Sequence, residues 1–97
     1  SAVPQVLFES DYQLALINYI EGNYQDAYTL LEIIYANEKG FSKSSNSVLF
    51  GAYILGAAAT QQMGEDVVSS KLMELANEID SSAAKEHYDY FISLHKK

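Results

Sequence analysis

Residues 19–35 run Tyr-Ile-Glu-Gly-Asn-Tyr-Gln-Asp-Ala-Tyr-Thr-Leu-Leu-Glu-Ile-Ile-Tyr and constrain the fold more than any other stretch. An apolar helical pattern reaches Gly22, turns over Asn23 and restarts at once as a second helical pattern. Glycine enters the left-handed region without a Cβ penalty, so Gly22 suits the residue that closes a helix. Asn23 fits an N-cap, and Asp26 puts negative charge in a first turn, where the helix dipole favours it. Ala27 is small where two helices would cross. The stretch predicts a tight helix-turn-helix hairpin.

Helical spacing continues on both sides. Leu7, Leu14, Ile17, Tyr19 and Ile20 recur at three- and four-residue steps and predict a helix from about Val6 to Glu21. A frayed lead-in holding Pro4 precedes it, and Ser10 or Asp11 offers a later cap. The second helix runs from Tyr24 to about Asn37 on the stripe Ala27, Leu30, Leu31, Ile34 and Tyr35, and Gly40 lies just past its end. Residues 41–47 are serine-rich and read as a loop, with Phe41 expected to anchor it on the core. Val48 to Met63 predicts a third helix in which Gly51, Ala52, Gly56, Ala57, Ala58 and Ala59 lie among Phe50, Tyr53, Ile54 and Leu55. Each internal glycine costs about 1 kcal/mol relative to alanine, so a neighbouring helix is expected to come close and this helix to sit at the centre. After Gly64, the acids Glu65 and Asp66 open a fourth helix carrying Val68, Leu72, Leu75, Ala76 and Ile79. Asp80-Ser81-Ser82 predicts a break, and Ala83 to about His95 a fifth helix that buries Ala84, Tyr88, Phe91 and Ile92. The expected fold is all-α, with five helices and no strand signal.

Shifting the sequence by 42 residues aligns Gly22 with Gly64, Ala15 with Ala57, Leu30 with Leu72 and Glu32 with Glu74. The same shift lays helix on helix and turn on turn, which points to an internal repeat. The single domain then divides into unit one at about 8–37, a loop at 38–47, unit two at about 48–79 and a capping helix at about 82–95.

Glu21-Gly22-Asn23-Tyr24-Gln25-Asp26-Ala27 between two helices resembles the turn of a tetratricopeptide repeat (TPR), where a glycine is followed by an aromatic two residues on and an alanine five residues on. Leu14 and Ala15 fall where that family has its leucine and small residue. The second unit departs from the pattern. Leu55-Gly56 lies one residue too far from Gly64, Asp66 replaces the aromatic and Ser69 the alanine. The shift of 42 also exceeds the ~34 residues of a tetratricopeptide unit, so a Sel1-like repeat, longer and more variable, is the alternative within this group.

The resemblance implies a short right-handed solenoid of stacked antiparallel hairpins whose first helices line a concave face. On that face it would place Tyr12, Leu16 and Tyr19 from unit one, and Ile54, Ala58 and Gln61 from unit two. Gly22, Tyr24, Ala27 and Gly64 would be the structural turn residues. The family's carboxylate clamp uses lysine, arginine and asparagine on this face, and none of the six positions supplies one. An apolar, tyrosine-lined groove for a helix or an extended segment is the expectation instead, in a chain with eight tyrosines.

Composition narrows the function classes. Residues 1–38 hold Glu9, Asp11, Glu21, Asp26, Glu32 and Glu38 with no lysine, the remainder holds seven acids against six lysines, and arginine is absent, for a net charge of −7. No basic face exists for a nucleic-acid backbone or an anionic membrane surface. No run approaches the ~20 apolar residues that span a bilayer. Without cysteine there are no disulfides, thiolate metal sites or cysteine nucleophiles. His87 and His95 are too far apart on one helix to share a metal, no nucleophile–base set is visible, and no glycine run cradles a phosphate. No cofactor is expected.

The sequence therefore predicts a non-enzymatic protein–protein interaction scaffold that binds a partner polypeptide in the groove. The alternative is a structural or assembly domain that self-associates, as a homodimer, or packs on neighbouring domains of a longer protein. A helical bundle that holds a small molecule beside the alanine-glycine helix is the third expectation. Fewer than ~3 repeat units rarely bury a continuous core, which favours a piece of a longer array or a dimer.

Overall fold

The computed structural model describes residues 4–37 and 47–95, with side chains placed for 9–37 and 48–95. Its elements are four helices, α1 (Pro4–Ile20), α2 (Tyr24–Ala36), α3 (Ser47–Gln62) and α4 (Asp66–Ser93), and no strand occurs among the described residues. Pro4 opens α1 instead of preceding it. A proline's fixed φ suits the first helical position, and its missing N–H is one that a helix start leaves unpaired anyway. The expected anchoring of Phe41 and most of the serine-rich loop lie outside the described residues.

The two turns are the same structure, bond for bond. Gly22 has φ +86° and Gly64 φ +81°, the only positive φ values in the described chain. The Asn23 N–H reaches back to the Asn18 carbonyl at 2.8 Å, and the Gly22 N–H to Tyr19 at 3.0 Å. Forty-two residues later the Glu65 N–H bonds Thr60 at 2.8 Å and the Gly64 N–H bonds Gln61 at 3.1 Å. This six-to-one and five-to-two pair is the Schellman closure, which satisfies carbonyls a helix end leaves free. The next helix starts identically, with Ala27 N–H to Asn23 and Ser69 N–H to Glu65, both at 3.0 Å. Asn23 and Glu65 occupy the N-cap positions of α2 and α4, but neither side chain caps. Their role is carried by the backbone, which is why residues as different as asparagine and glutamate serve.

The five expected helices are four. The fourth and fifth join as α4, and the expected break survives as one extended residue, Asp80 (φ −161°, ψ 98°). The Asp80 carboxylate accepts the Ala83 N–H at 3.1 Å, so its side chain recaps the helix three residues on. Ser81 and Ser82, read with Asp80 as a break, belong to the helix after the bend.

Residues 52–60 of α3 are all buried, and α3 packs against each of the other helices. Its small residues admit side chains more than backbones. A methyl built at Gly51 would lie 3.0 Å from the Tyr12 hydroxyl, and one at Gly56 would overlap the Tyr35 hydroxyl. Tyr35 donates to the Ala52 carbonyl of α3 at 2.6 Å and stacks on Tyr53. Glycine thus makes room at position 56 for the Tyr35 tip from α2, and at position 51 a methyl would crowd the Tyr12 tip from α1. In the hairpin crossings, Ala27 is fully buried, and Ser69, its counterpart after the 42-residue shift, is buried too and donates to the Ala57 carbonyl at 2.8 Å. Serine replaces alanine there without loss because its hydroxyl finds an α3 acceptor.

Candidate functional site

The six residues expected on the concave face divide sharply. Tyr19, Ile54 and Ala58 have no accessible surface, Tyr12 and Leu16 are half-buried, and Gln61 is exposed. Tyr19 and Ala58 therefore present nothing to a partner in this conformation, and Ile54 lies beneath the cleft described below. Gln61 stands at the turn, where its amide donates to Asp66 at 3.2 Å.

What covers the inner part of the face is the chain itself. Beyond the bend at Asp80, the second half of α4 buries Ala84 and Phe91, with Tyr88 and Ile92 packed beside them. The Tyr19 hydroxyl donates to the Phe91 carbonyl at 2.8 Å, and the Tyr19 ring meets Phe91 edge-on at 6.0 Å. His95 sits edge-on to Tyr19 at 4.8 Å and to Tyr24 at 5.2 Å. Tyr24 is therefore more than a turn residue, because its ring closes an aromatic trio with Tyr19 and His95. Burial raises the Tyr19 hydroxyl above the ordinary tyrosine value, partly offset by the Gln62 amide donating to it, so Tyr19 remains a neutral donor.

At the other end the face stays open. A cleft of about 340 Å³ lies between the start of α1, the first turns of α3 and the second half of α4. Tyr12, Phe50, Gly51, Ile54 and Phe91 form its walls and floor, with Glu9, Gln13 and His87 at the rim. The His87 ring stands edge-on to Phe50 at 6.3 Å. Burial pushes the Tyr12 hydroxyl up, so it too faces the cleft as a neutral group. Of the six sequence-predicted residues, only Tyr12 and Ile54 come together here. Phe50, Gly51 and Phe91 were read as core or helix-packing residues. The signal that could have linked them is Gly51, whose missing side chain marks something close against α3.

Other candidates offer less. A hollow of about 660 Å³ in the elbow of α4 is shallow and open, lined by residues that include Met73, Asn77, Ser81 and the exposed Lys85–Asp89 ion pair. No group of three or more metal-ligating side chains occurs among the described residues. None of the described helices is long and apolar enough to cross a membrane. Comparison with protein-family models, with curated proteins and with solved structures finds no match.

Proposed function

We propose that the chain is a non-enzymatic interaction module that takes one apolar side chain of a partner polypeptide into the Tyr12–Phe50–Phe91 cleft. The observation that carries this reading is the cleft itself, lined by Tyr12, Val48, Phe50, Gly51, Ile54 and Phe91, with Glu9, Gln13 and His87 as the remaining residues around it. Binding sites combine apolar linings with few polar groups in this way, and about 340 Å³ is at the small end of the ~300–1,000 Å³ range for ligand pockets. That volume suits a side chain better than a cofactor. The repeated turn supports stacking of the two hairpins as a short TPR-like solenoid, with the far end of α4 as its cap.

Nitrogen-15 NMR of the chain titrated with acetylated leucine and phenylalanine amides tests this directly. Shifts are expected to converge on Gly51, Ile54 and Phe91, and to disappear in Phe50→Ala. Shifts scattered over the surface sink the reading. A sedimenting dimer whose dissociation perturbs these same residues transfers the cleft to the assembly alternative.

A further inference from the structure

The outer face of α1 poses a separate question. Leu14, Ile17 and Ile20 are 50%, 51% and 54% exposed, three residues apart, on the side of α1 opposite the half-buried Tyr12 and the buried Ala15 and Tyr19. A helix that is apolar around its circumference is ordinarily covered on all sides, and contiguous exposed apolar groups mark docking surfaces. Among the described residues, only the inner side is covered.

The charges around the stripe specify the occupant. From Tyr12 to Ile20 there is no Asp, Glu, Lys, Arg or His, whereas Glu9 and Asp11 stand before the stripe and Glu21 follows it. Glu9 and Glu21, both exposed, bracket about 18 Å of helix. None of the three acids makes an ion pair among the described residues, where Lys85–Asp89 is the pair present. A second copy would set Glu9 and Asp11 against Glu21 or against themselves in either orientation, which like charges oppose. An anionic lipid surface meets the same repulsion.

We infer that the Leu14–Ile17–Ile20 face of α1 docks an amphipathic helix that carries lysine or arginine beyond both ends of its apolar stripe. Apolar residues at i, i+3 and i+7 of that helix lie along Leu14, Ile17 and Ile20, and its flanking cations reach Glu9 or Asp11 at one end and Glu21 at the other. This is distinct from the cleft on the inner side and stands whether or not the cleft reading holds.

A randomised helical-peptide display library panned on the whole 97-residue chain provides the test. Enriched peptides are expected to place three apolar residues at helical spacing between flanking basic residues. Ile17→Gln is expected to weaken them about tenfold or more, while Phe50→Ala in the cleft leaves them unchanged. Because Ile17 is half-exposed, the variant should keep the parental helical melt, and Leu14→Gln serves as a second variant at the same face. The inference is overturned when the peptides that Ile17→Gln weakens are acidic, uncharged or extended, or when every enriched peptide is indifferent to both α1 variants. It is overturned equally by a sedimenting dimer that Ile17→Gln dissolves, which would make a second copy the occupant.

Discussion

Replacing Gly56 with alanine should destabilise the protein, against the usual rule for a helix interior. Alanine is ordinarily favoured over glycine in a helix by about 1 kcal/mol. In α3, however, the added methyl would take the space of the Tyr35 hydroxyl and press on Leu72. Displaced, Tyr35 loses its bond to the Ala52 carbonyl. A stranded buried donor costs about 1–3 kcal/mol, and an extra carbon in a filled site adds about 1–3 kcal/mol. Taking mid-range values and subtracting the propensity gain, Gly56→Ala should cost about 3 kcal/mol. For a chain of this size that lowers Tm by roughly 12–24 °C, readable by circular dichroism at 222 nm. Tyr35→Phe alone should cost about 1 kcal/mol. Combined with Gly56→Ala, it should recover most of the loss, because the overlapping oxygen is gone and only closer ring and Leu72 contacts remain. A Gly56→Ala protein as stable as the parent, or more so, refutes the reasoning. So does a double variant whose losses simply add.

Three further outcomes follow from the packing. Gly22→Ala and Gly64→Ala meet no neighbouring atoms, so each should lose only the left-handed backbone penalty of about 1–2 kcal/mol. The two losses should agree closely in urea melts, and a large inequality would show that the turns are not equivalent. Ser69→Ala, which removes the α4–α3 hydroxyl bond, should cost about 1 kcal/mol, and an unchanged melt would mean that the bond contributes nothing. Burial raises the hydroxyls of Tyr12, Tyr19, Tyr28 and Tyr35, the last well above the ordinary value, where Tyr28 and Tyr53 add like-charge repulsion. The folded chain then holds protons that the unfolded chain releases near pH ~10. This stability is complete below that pH and falls as pH rises through the higher folded values. Absorbance at 295 nm followed alongside helicity should show part of the tyrosine ionisation coinciding with unfolding, the part that belongs to these four residues. Full ionisation near pH ~10 with helicity intact would contradict it.

The hairpin turns were legible because a left-handed residue leaves a residue-type mark, and Gly22 and Gly64 carry it at equivalent places. The central position of α3 was legible for a related reason, since alanine and glycine in a helix interior imply close neighbours. Which neighbours was not legible. Periodicity tells which side of a helix is apolar, not what that side meets, so Gly56 gave no hint of the Tyr35 hydroxyl. The continuity of α4 escaped because Asp80-Ser81-Ser82 serves equally as a break or as a single-residue bend followed by a side-chain cap. The covering of the inner groove escaped with it. Tyr19 lies on the face that the repeat resemblance turns toward a partner, but Phe91, 72 residues on, meets it first.

That contact also covers the inner face expected from the repeat resemblance and leaves the Tyr12 end open. The direct measurement is a set of NOEs in the free chain between the ring protons of Tyr19 and those of Phe91 and His95. The structure predicts strong cross-peaks to both rings, together with a Tyr19 hydroxyl proton protected from exchange. Absent cross-peaks and a solvent-accessible Tyr19 would contradict it, and would leave that face uncovered.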